Sequence, residues 1–334
     1  MMGEVRNFII IWLHVITSLC VCYVVGKKVP KGFPTLFAIL PIVSFFLALP
    51  LGLNTMHLGG LFAFFISWLA NSKLLLFAFG KGPLSDPSLS LKHFVVVASL
   101  PIKIRSQNSP SHKSIWNYII KALVLSVVLT SYKYMPPMLL YCLYCLHMYL
   151  TLEIILAIIS VLVRTILGID LEPHFDEPYL SSSLQDFWGR RWNLVVTNIL
   201  RMTVFDPTRR IALRMVGPKW APLPATFMTF LVSGLIHELI YYYLGRVRPT
   251  WEITQFFLLH GLCIVVEVGC KKKLSSKFRL PRVVSATLTI GFVLVTSFKL
   301  FLPQLLRCNG DQRVFQELAS LTDFLKHPLL FLYN

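Results

Sequence analysis

The chain has 334 residues, of which 55% are apolar and 14% charged, and its mean hydropathy is +0.67. Soluble domains carry roughly 25% charged residues, so a water-soluble fold, which has no way to hide this much apolar surface, is excluded. The formal charge of +17 would suggest a nucleic-acid partner in a soluble protein. Here the basic residues fall between apolar runs, so membrane topology accounts for most of them and no nucleic-acid partner is expected.

Eight apolar runs are long enough to cross a bilayer: 8–25, 34–53, 59–79, 116–132, 138–163, 222–245, 252–270 and 283–303. Runs of this length satisfy their backbone polar groups only as helices. The predicted fold class is therefore an all-α polytopic membrane protein of about eight transmembrane helices. The first run lacks a strongly basic start and an Ala-x-Ala site, and reads as a retained span rather than a signal peptide. The fifth is long enough to be tilted or broken. The segment 93–104 is too short to span, is interrupted by Pro101, and reads as interfacial.

Basic residues gather in alternate connections. Loop 26–33 holds Lys27, Lys28 and Lys31, and loop 80–115 holds Lys81, Lys92, Lys103, Arg105 and Lys113. Segment 164–221 holds Arg164, Arg190, Arg191, Arg201, Arg209, Arg210, Arg214 and Lys219; loop 271–282 holds Lys271, Lys272, Lys273, Lys277, Arg279 and Arg282. With eight spans all four lie on one side, which the positive-inside rule makes cytosolic, and both termini are lumenal. The same charges suit anionic headgroups of membrane lipids. No internal repeat and no matched pair of Gly/Pro-broken helices is visible. The whole of 1–334 reads as one membrane-embedded domain, with 164–221 a cytosolic-side segment. The seven cysteines form no disulfide pattern.

Segment 164–221 is the longest stretch between spans. Ser182 followed by Gln185 fits a capping box and predicts a helix start. Asp186 and Arg190 stand at i, i+4, suiting an ion pair, and Trp188 and Trp192 share that spacing. The expectation is an amphipathic helix lying in the interface. Asn193 falls in its apolar half, where an amide needs a partner. Arg190-Arg191 beside the tryptophans suits phosphate recognition, and Arg209, Arg210, Arg214 and Lys219 add a second basic group. An anchoring helix with basic residues placed by topology is the plainer alternative.

His237 lies inside the run 222–245, roughly 22 Å beyond Pro222 at 1.5 Å per residue. An ionisable side chain at that depth marks a functional site by default; a satisfied interhelical histidine is the alternative. Ser233, Gly234, His237 and Tyr241 form a small and polar stripe, and Glu238 points elsewhere, toward Tyr242 or a basic partner. His14, His147 and His260 read as structural, and His57, His93, His112, His174 and His327 fall in loops or near interfaces. His237-Glu238 starts like HExxH, but position 241 is Tyr241, so no metal site is expected. There is no GxSxG elbow and no Walker loop. A lone buried histidine then fits general-base work. From the residues alone, an acyltransferase, a transporter and a non-catalytic lipid-binding protein stay open.

At Pro178-Tyr179-Leu180, Ser183-Leu184-Gln185-Asp186-Phe187-Trp188-Gly189-Arg190-Arg191-Trp192-Asn193 and Ser233-Gly234-Leu235-Ile236-His237-Glu238-Leu239-Ile240, the chain resembles the membrane-bound O-acyltransferases, in their plant wax synthase branch. Val29-Pro30-Lys31-Gly32 and Trp68-Leu69-Ala70-Asn71-Ser72-Lys73-Leu74-Leu75-Leu76-Phe77-Ala78 look similar too. The resemblance implies the fold of that superfamily and transfer of a fatty acyl group from acyl-CoA, as co-substrate with no further cofactor, to a lipid hydroxyl in the endoplasmic reticulum. The acceptor it implies is a long-chain alcohol or, as in a sister branch, a sterol. His237 matches the family's catalytic histidine and Asn193 its paired polar residue. Gln185, Asp186, Trp188, Arg190, Arg191, Trp192, Ser233, Tyr241, Arg209 and Arg210 are the expected substrate contacts, the arginines for the phosphates of acyl-CoA.

Overall fold

The computed structural model describes residues 2–105, 114–273 and 281–326. His112, Lys113, Lys277, Arg279 and His327 lie outside the described residues. Among the described residues eight helical stretches are long and apolar enough to cross a membrane, and they coincide with the eight runs read from the sequence. The described residues form two compact units: Met1–Leu100 with Val232–Thr254 and Pro303–Asn334, and Pro101–Leu231 with Gln255–Leu302.

In the first unit, α1 (Met2–Lys28) and α2 (Phe33–Ala48) are joined by the Val29-Pro30-Lys31-Gly32 turn. Gly32 has φ +115°, which only glycine adopts at no cost. Its N–H donates to Ala78 O at 2.7 Å, and the Lys31 ammonium lies 3.5 Å from the Phe77 ring centroid. Burial pushes the Lys31 amine below its ordinary range. The third span runs as α3 (Met56–Phe62), a π-helical stretch Ala63–Ala70, and α4 (Asn71–Ala78). It is the most enclosed span of the molecule. In an apolar solvent close packing rather than water exclusion holds helices together. Gly26 of α1 shows it: a Cβ there would fall 2.1 Å from Phe77 Cζ.

Two buried polar side chains of this unit, Asn71 and Lys73, donate to backbone carbonyls. Asn71 Nδ2 donates to Val43 O at 3.1 Å. Lys73, fully buried, donates to Val97 O and Leu100 O, both at 2.6 Å. These carbonyls end α5 (Leu91–Ser99), where the helix dipole favours a cation. The segment read as interfacial is thus a short helix followed by an extended stretch from Leu100 onward.

In the second unit, α6 (Ile115–Ser131) and α7 (Pro137–Leu167) pair. α7 is unbroken over its 31 residues, so the long fifth run is one helix. It ends at Gly168 in the left-handed conformation, whose N–H returns to Arg164 O. Buried Lys121 of α6 bonds Glu153 of α7 at 2.7 Å and Glu177 of the following loop at 3.2 Å. An Ile104–Leu171 bridge, flanked by the Lys103–Glu172 ion pair at 2.5 Å, ties the start of this unit to that loop. Next come α8 (Leu184–Asp186), α9 (Leu194–Leu200) and α10 (Asp206–Trp220), then the long α11 (Pro222–Gly245), α12 (Glu252–Lys273) and α13 (Arg282–Thr296). A short α14 (Leu302–Arg307) and α15 (Gly310–Lys326) close the chain.

α15 returns to the start of the third span. Glu317 accepts from the backbone N–H of Met56, from that of His57 at 3.0 Å, and from His57 Nδ1 at 2.7 Å. Burial alone would raise this carboxyl, but the donors together outweigh it and hold Glu317 below its ordinary value of 4.5. A lowered folded-state value gives stability that is present above the unfolded value and lost as pH falls through the folded one. Glu317→Gln is therefore expected to lower the thermal transition at pH 7, with the difference from the parent closing below about pH 4. Melting curves of both proteins at pH 7 and pH 3.5 check this.

Candidate functional site

The sequence-predicted site residues fall in two sets, one in each unit. The first is the loop motif of the second unit. Its helix starts one residue later than the Ser182–Gln185 pattern predicts. Ser183 is the cap, its Oγ accepting from Asp186 N–H at 3.1 Å, while Asp186 Oδ2 takes the N–H of Ser182 at 3.2 Å. Ser183 and Asp186 thus stand at capping-box spacing, but the aspartate reaches back to the residue before the cap rather than to the cap itself.

The predicted Asp186–Arg190 pair is also displaced by one. Phe187–Arg191 is π-helical, with Trp192 N–H bonded to Phe187 O at 2.8 Å. A backbone closing i→i+5 brings residue i+5, not i+4, beside residue i. Asp186 accordingly bonds Arg191 Nε at 2.9 Å. Arg191 Nη1 donates to Asp176 O at 2.9 Å, and Asp176 N–H to Arg191 O at 2.9 Å. Arg191 is a clamp on the Asp176-Glu177 turn, and Arg190 is the exposed member of the pair. Glu177 holds a left-handed φ of 43°. It accepts from Lys121, from Asn117 Nδ2 at 3.2 Å and from the Tyr179 phenol. Burial and the Glu177 carboxylate together push that phenol up.

The single amphipathic helix expected over this region is broken at Trp192-Asn193. Asn193 is left-handed (φ 36°) and caps α9, its Oδ1 accepting from Val196 N–H at 3.3 Å. That is the partner its amide requires, and its Nδ2 donors remain. Trp188 and Trp192 do meet, with ring centroids 6.1 Å apart, and Trp192 stacks on Phe187 at 5.4 Å. Gln185 N–H donates to Glu267 at 3.3 Å, and its side chain accepts from Lys271 at 3.5 Å. Arg209 and Arg210 stand exposed on α10 with Arg214.

His260, read from sequence as structural, belongs to this set. It is fully buried, and Trp188 Nε1–H donates to its Nδ1 at 2.9 Å. Nδ1 is therefore the bare nitrogen. Nε2–H donates to Thr296 Oγ1 at 2.9 Å, and that hydroxyl in turn donates to Phe292 O at 2.7 Å. Every donor in this chain has an acceptor, which fits a neutral imidazole that fixes the Trp188 ring. The only signal in the sequence was that a buried indole N–H needs an acceptor somewhere.

The second set is on α11, in the part belonging to the first unit. His237 is half-buried, and its Nδ1 lies 2.7 Å from Ser233 O, the carbonyl rather than the hydroxyl of the polar stripe. His14 makes the same local bond, to Ile10 O at 2.7 Å, but at an exposed position. What sets His237 apart is its surroundings. Its ring meets Trp68 edge to face, with centroids 5.6 Å apart. Ser233 and Tyr241 are buried beside it in sequence. Glu238, 3% exposed, turns neither to Tyr242 nor to a basic side chain. It accepts from Thr254 N–H at 3.1 Å and Thr254 Oγ1 at 3.3 Å in the first turn of α12, and its other oxygen is without a hydrogen-bond partner among the described residues.

The sequence profile of the Membrane bound O-acyl transferase family matches residues 171–259, which contain both motifs. The chain is 44% identical to the long-chain-alcohol O-fatty-acyltransferase of Simmondsia chinensis, over 98% of this chain and 97% of that protein. It is 44% identical to acyl-CoA–sterol O-acyltransferase 1 of Arabidopsis thaliana, over 95% and 96%. It is 43% identical to the probable long-chain-alcohol O-fatty-acyltransferase 8 of the same plant, over 98% of both chains. Near end-to-end likeness at this level, on a predominantly helical chain with eight apolar spans among its described residues, settles the affiliation: the chain is an integral, multi-pass acyltransferase and belongs to the membrane-bound O-acyltransferase family.

Proposed function

We propose that the protein transfers a fatty acyl group from acyl-CoA to the hydroxyl of a long-chain alcohol, giving a wax ester and free CoA, with His237 as general base. The observation that carries this reading is the bond from His237 to Ser233 O. A carbonyl only accepts, so Nδ1 carries the proton of the neutral ring and Nε2 presents its lone pair. Nε2 takes the alcohol proton as the alcohol oxygen attacks the thioester carbon. The carbon–sulfur bond then breaks, and the proton passes from Nε2 to the leaving CoA sulfur. The thioester is already activated, so no acyl-enzyme is required.

Asn193 is assigned as the polar residue paired with this histidine in the reaction, acting through the Nδ2 donors that its cap leaves available. Arg190, Arg209 and Arg210 are exposed cations suited to the phosphates of acyl-CoA. Arg191 and Asp186 act indirectly, by holding the motif, as do Trp188, Trp192 and Gln185. Ser233 orients the imidazole, and Tyr241 packs on the same helix. The whole chain is taken to serve this one activity, in the endoplasmic reticulum, with the basic connections cytosolic and both termini lumenal.

A sterol acceptor is the second reading, favoured by the 44% identity to a relative named as a sterol acyltransferase. The test is expression in yeast lacking its own sterol and diacylglycerol acyltransferases. Microsomes receive labelled acyl-CoA with a C16–C18 alcohol or with a sterol. Label in wax ester is the expected result. Label in steryl ester alone moves the acceptor assignment to sterol, and label in neither ester overturns both readings.

A further inference from the structure

Trp68 is 4% exposed and sits on the π-helical stretch Ala63–Ala70 of the third span. Its ring meets those of His237 and Phe64 edge to face, with centroids 5.6 and 5.1 Å away. Its Nε1–H is buried and has no acceptor among the described residues. Such donors are few in native proteins, because each forfeits its hydration without a replacement bond. Buried tryptophans ordinarily find a partner, as Trp188 does in His260. A purely apolar aromatic ring would pack there without that cost. π-Helical bulges, where the backbone widens to i→i+5, recur at functional sites. An unsatisfied donor kept on the ring that touches the base is explained if a substrate oxygen supplies the missing acceptor.

Two oxygens change during the reaction. A donor on the alcohol oxygen would weaken the nucleophile. A donor on the acyl carbonyl oxygen stabilises the negative charge that gathers there as the alcohol attacks, and does so most in a dry site. We propose that Trp68 is a catalytic residue whose Nε1–H donates to the acyl carbonyl oxygen in the transition state. This rests on the reading of His237 as the base.

The test compares purified full-length protein, Trp68→Phe and His237→Ala in lipid nanodiscs. It reads kcat, KM for acyl-CoA and the thermal transition. Trp68→Phe is expected to lower kcat about 10²–10³-fold, the loss seen when one oxyanion donor is removed. KM should stay within about twofold, because the bond strengthens only in the transition state. The thermal transition should change little, since removal of the unsatisfied donor offsets the smaller ring. A merely structural tryptophan would give the opposite split, a lower transition with little change in kcat. Full turnover in Trp68→Phe beside an inactive His237→Ala overturns the Trp68 assignment alone. Full turnover in His237→Ala overturns the base reading, and the Trp68 role with it. If Trp68→Phe does not fold, benzothienylalanine at position 68 keeps the ring shape and replaces only the N–H. The same fall in kcat is then expected, and an unchanged kcat overturns the proposal.

Discussion

His237→Ala is expected to lower kcat for ester formation by about 10²–10⁴-fold, the usual worth of a positioned general base, while the protein stays folded and still binds acyl-CoA. The imidazole bonds Ser233 O one turn back on its own helix and packs on Trp68. Its removal leaves a half-buried gap rather than a stranded charge. The stability loss should therefore resemble that of a modest cavity and be small beside the loss in rate. Turnover with saturating acyl-CoA, measured with a melting curve and an acyl-CoA binding isotherm, separates the two. Near-normal turnover in folded protein would sink the mechanism. Added imidazole should restore part of the rate if the missing function is proton transfer.

Lys121→Met should cost about 3–5 kcal/mol of stability, the range for breaking a buried ion pair by removing one partner. The ammonium is shared by Glu153 and Glu177, and both Lys121 and Glu153 are almost fully buried between α6 and α7. Without it two carboxylates are left without their cation in a low-dielectric setting. Glu177 also begins the turn that Arg191 grips through main-chain carbonyls, so the damage should extend to the Trp188–Asn193 loop. Replacing the pair together, Lys121→Met with Glu153→Leu, should recover much of the loss, because an apolar pair of similar volume is often neutral or better. Chemical denaturation of the parent, the single and the double variant checks this. Equal stability of parent and Lys121→Met would mean that the pair is solvated and contributes nothing.

The Asp186 motif shows where one-dimensional reading gives out. Its composition pointed to a helix start, an acid–arginine pair and tryptophans in contact, and all three are present. Yet the cap is Ser183, not Ser182, and the arginine is Arg191, not Arg190. Both shifts come from hydrogen-bond register. An i, i+4 pairing presupposes a period of 3.6, and the backbone widens to i→i+5 over Phe187–Arg191. Asn193 needed a partner, but the left-handed conformation that turns its side chain onto Val196 N–H has no signature in the residue types nearby.

The sequence by itself determined the membrane class, the eight spans, the grouping of basic residues in alternate connections, and the prominence of His237. Each of these depends on composition summed over some twenty residues, so an error of one or two positions leaves it intact. Only the tertiary structure decided which side chains meet. Trp188 could have found its acceptor anywhere, and His260 is 72 residues away. Trp68 and His237 are still further apart in the chain, and Glu238 ends on Thr254 rather than on a base. Such pairings are set by how helices pack. Their energy lies in a single bond or ring contact, which leaves no periodic trace in the residues that make it.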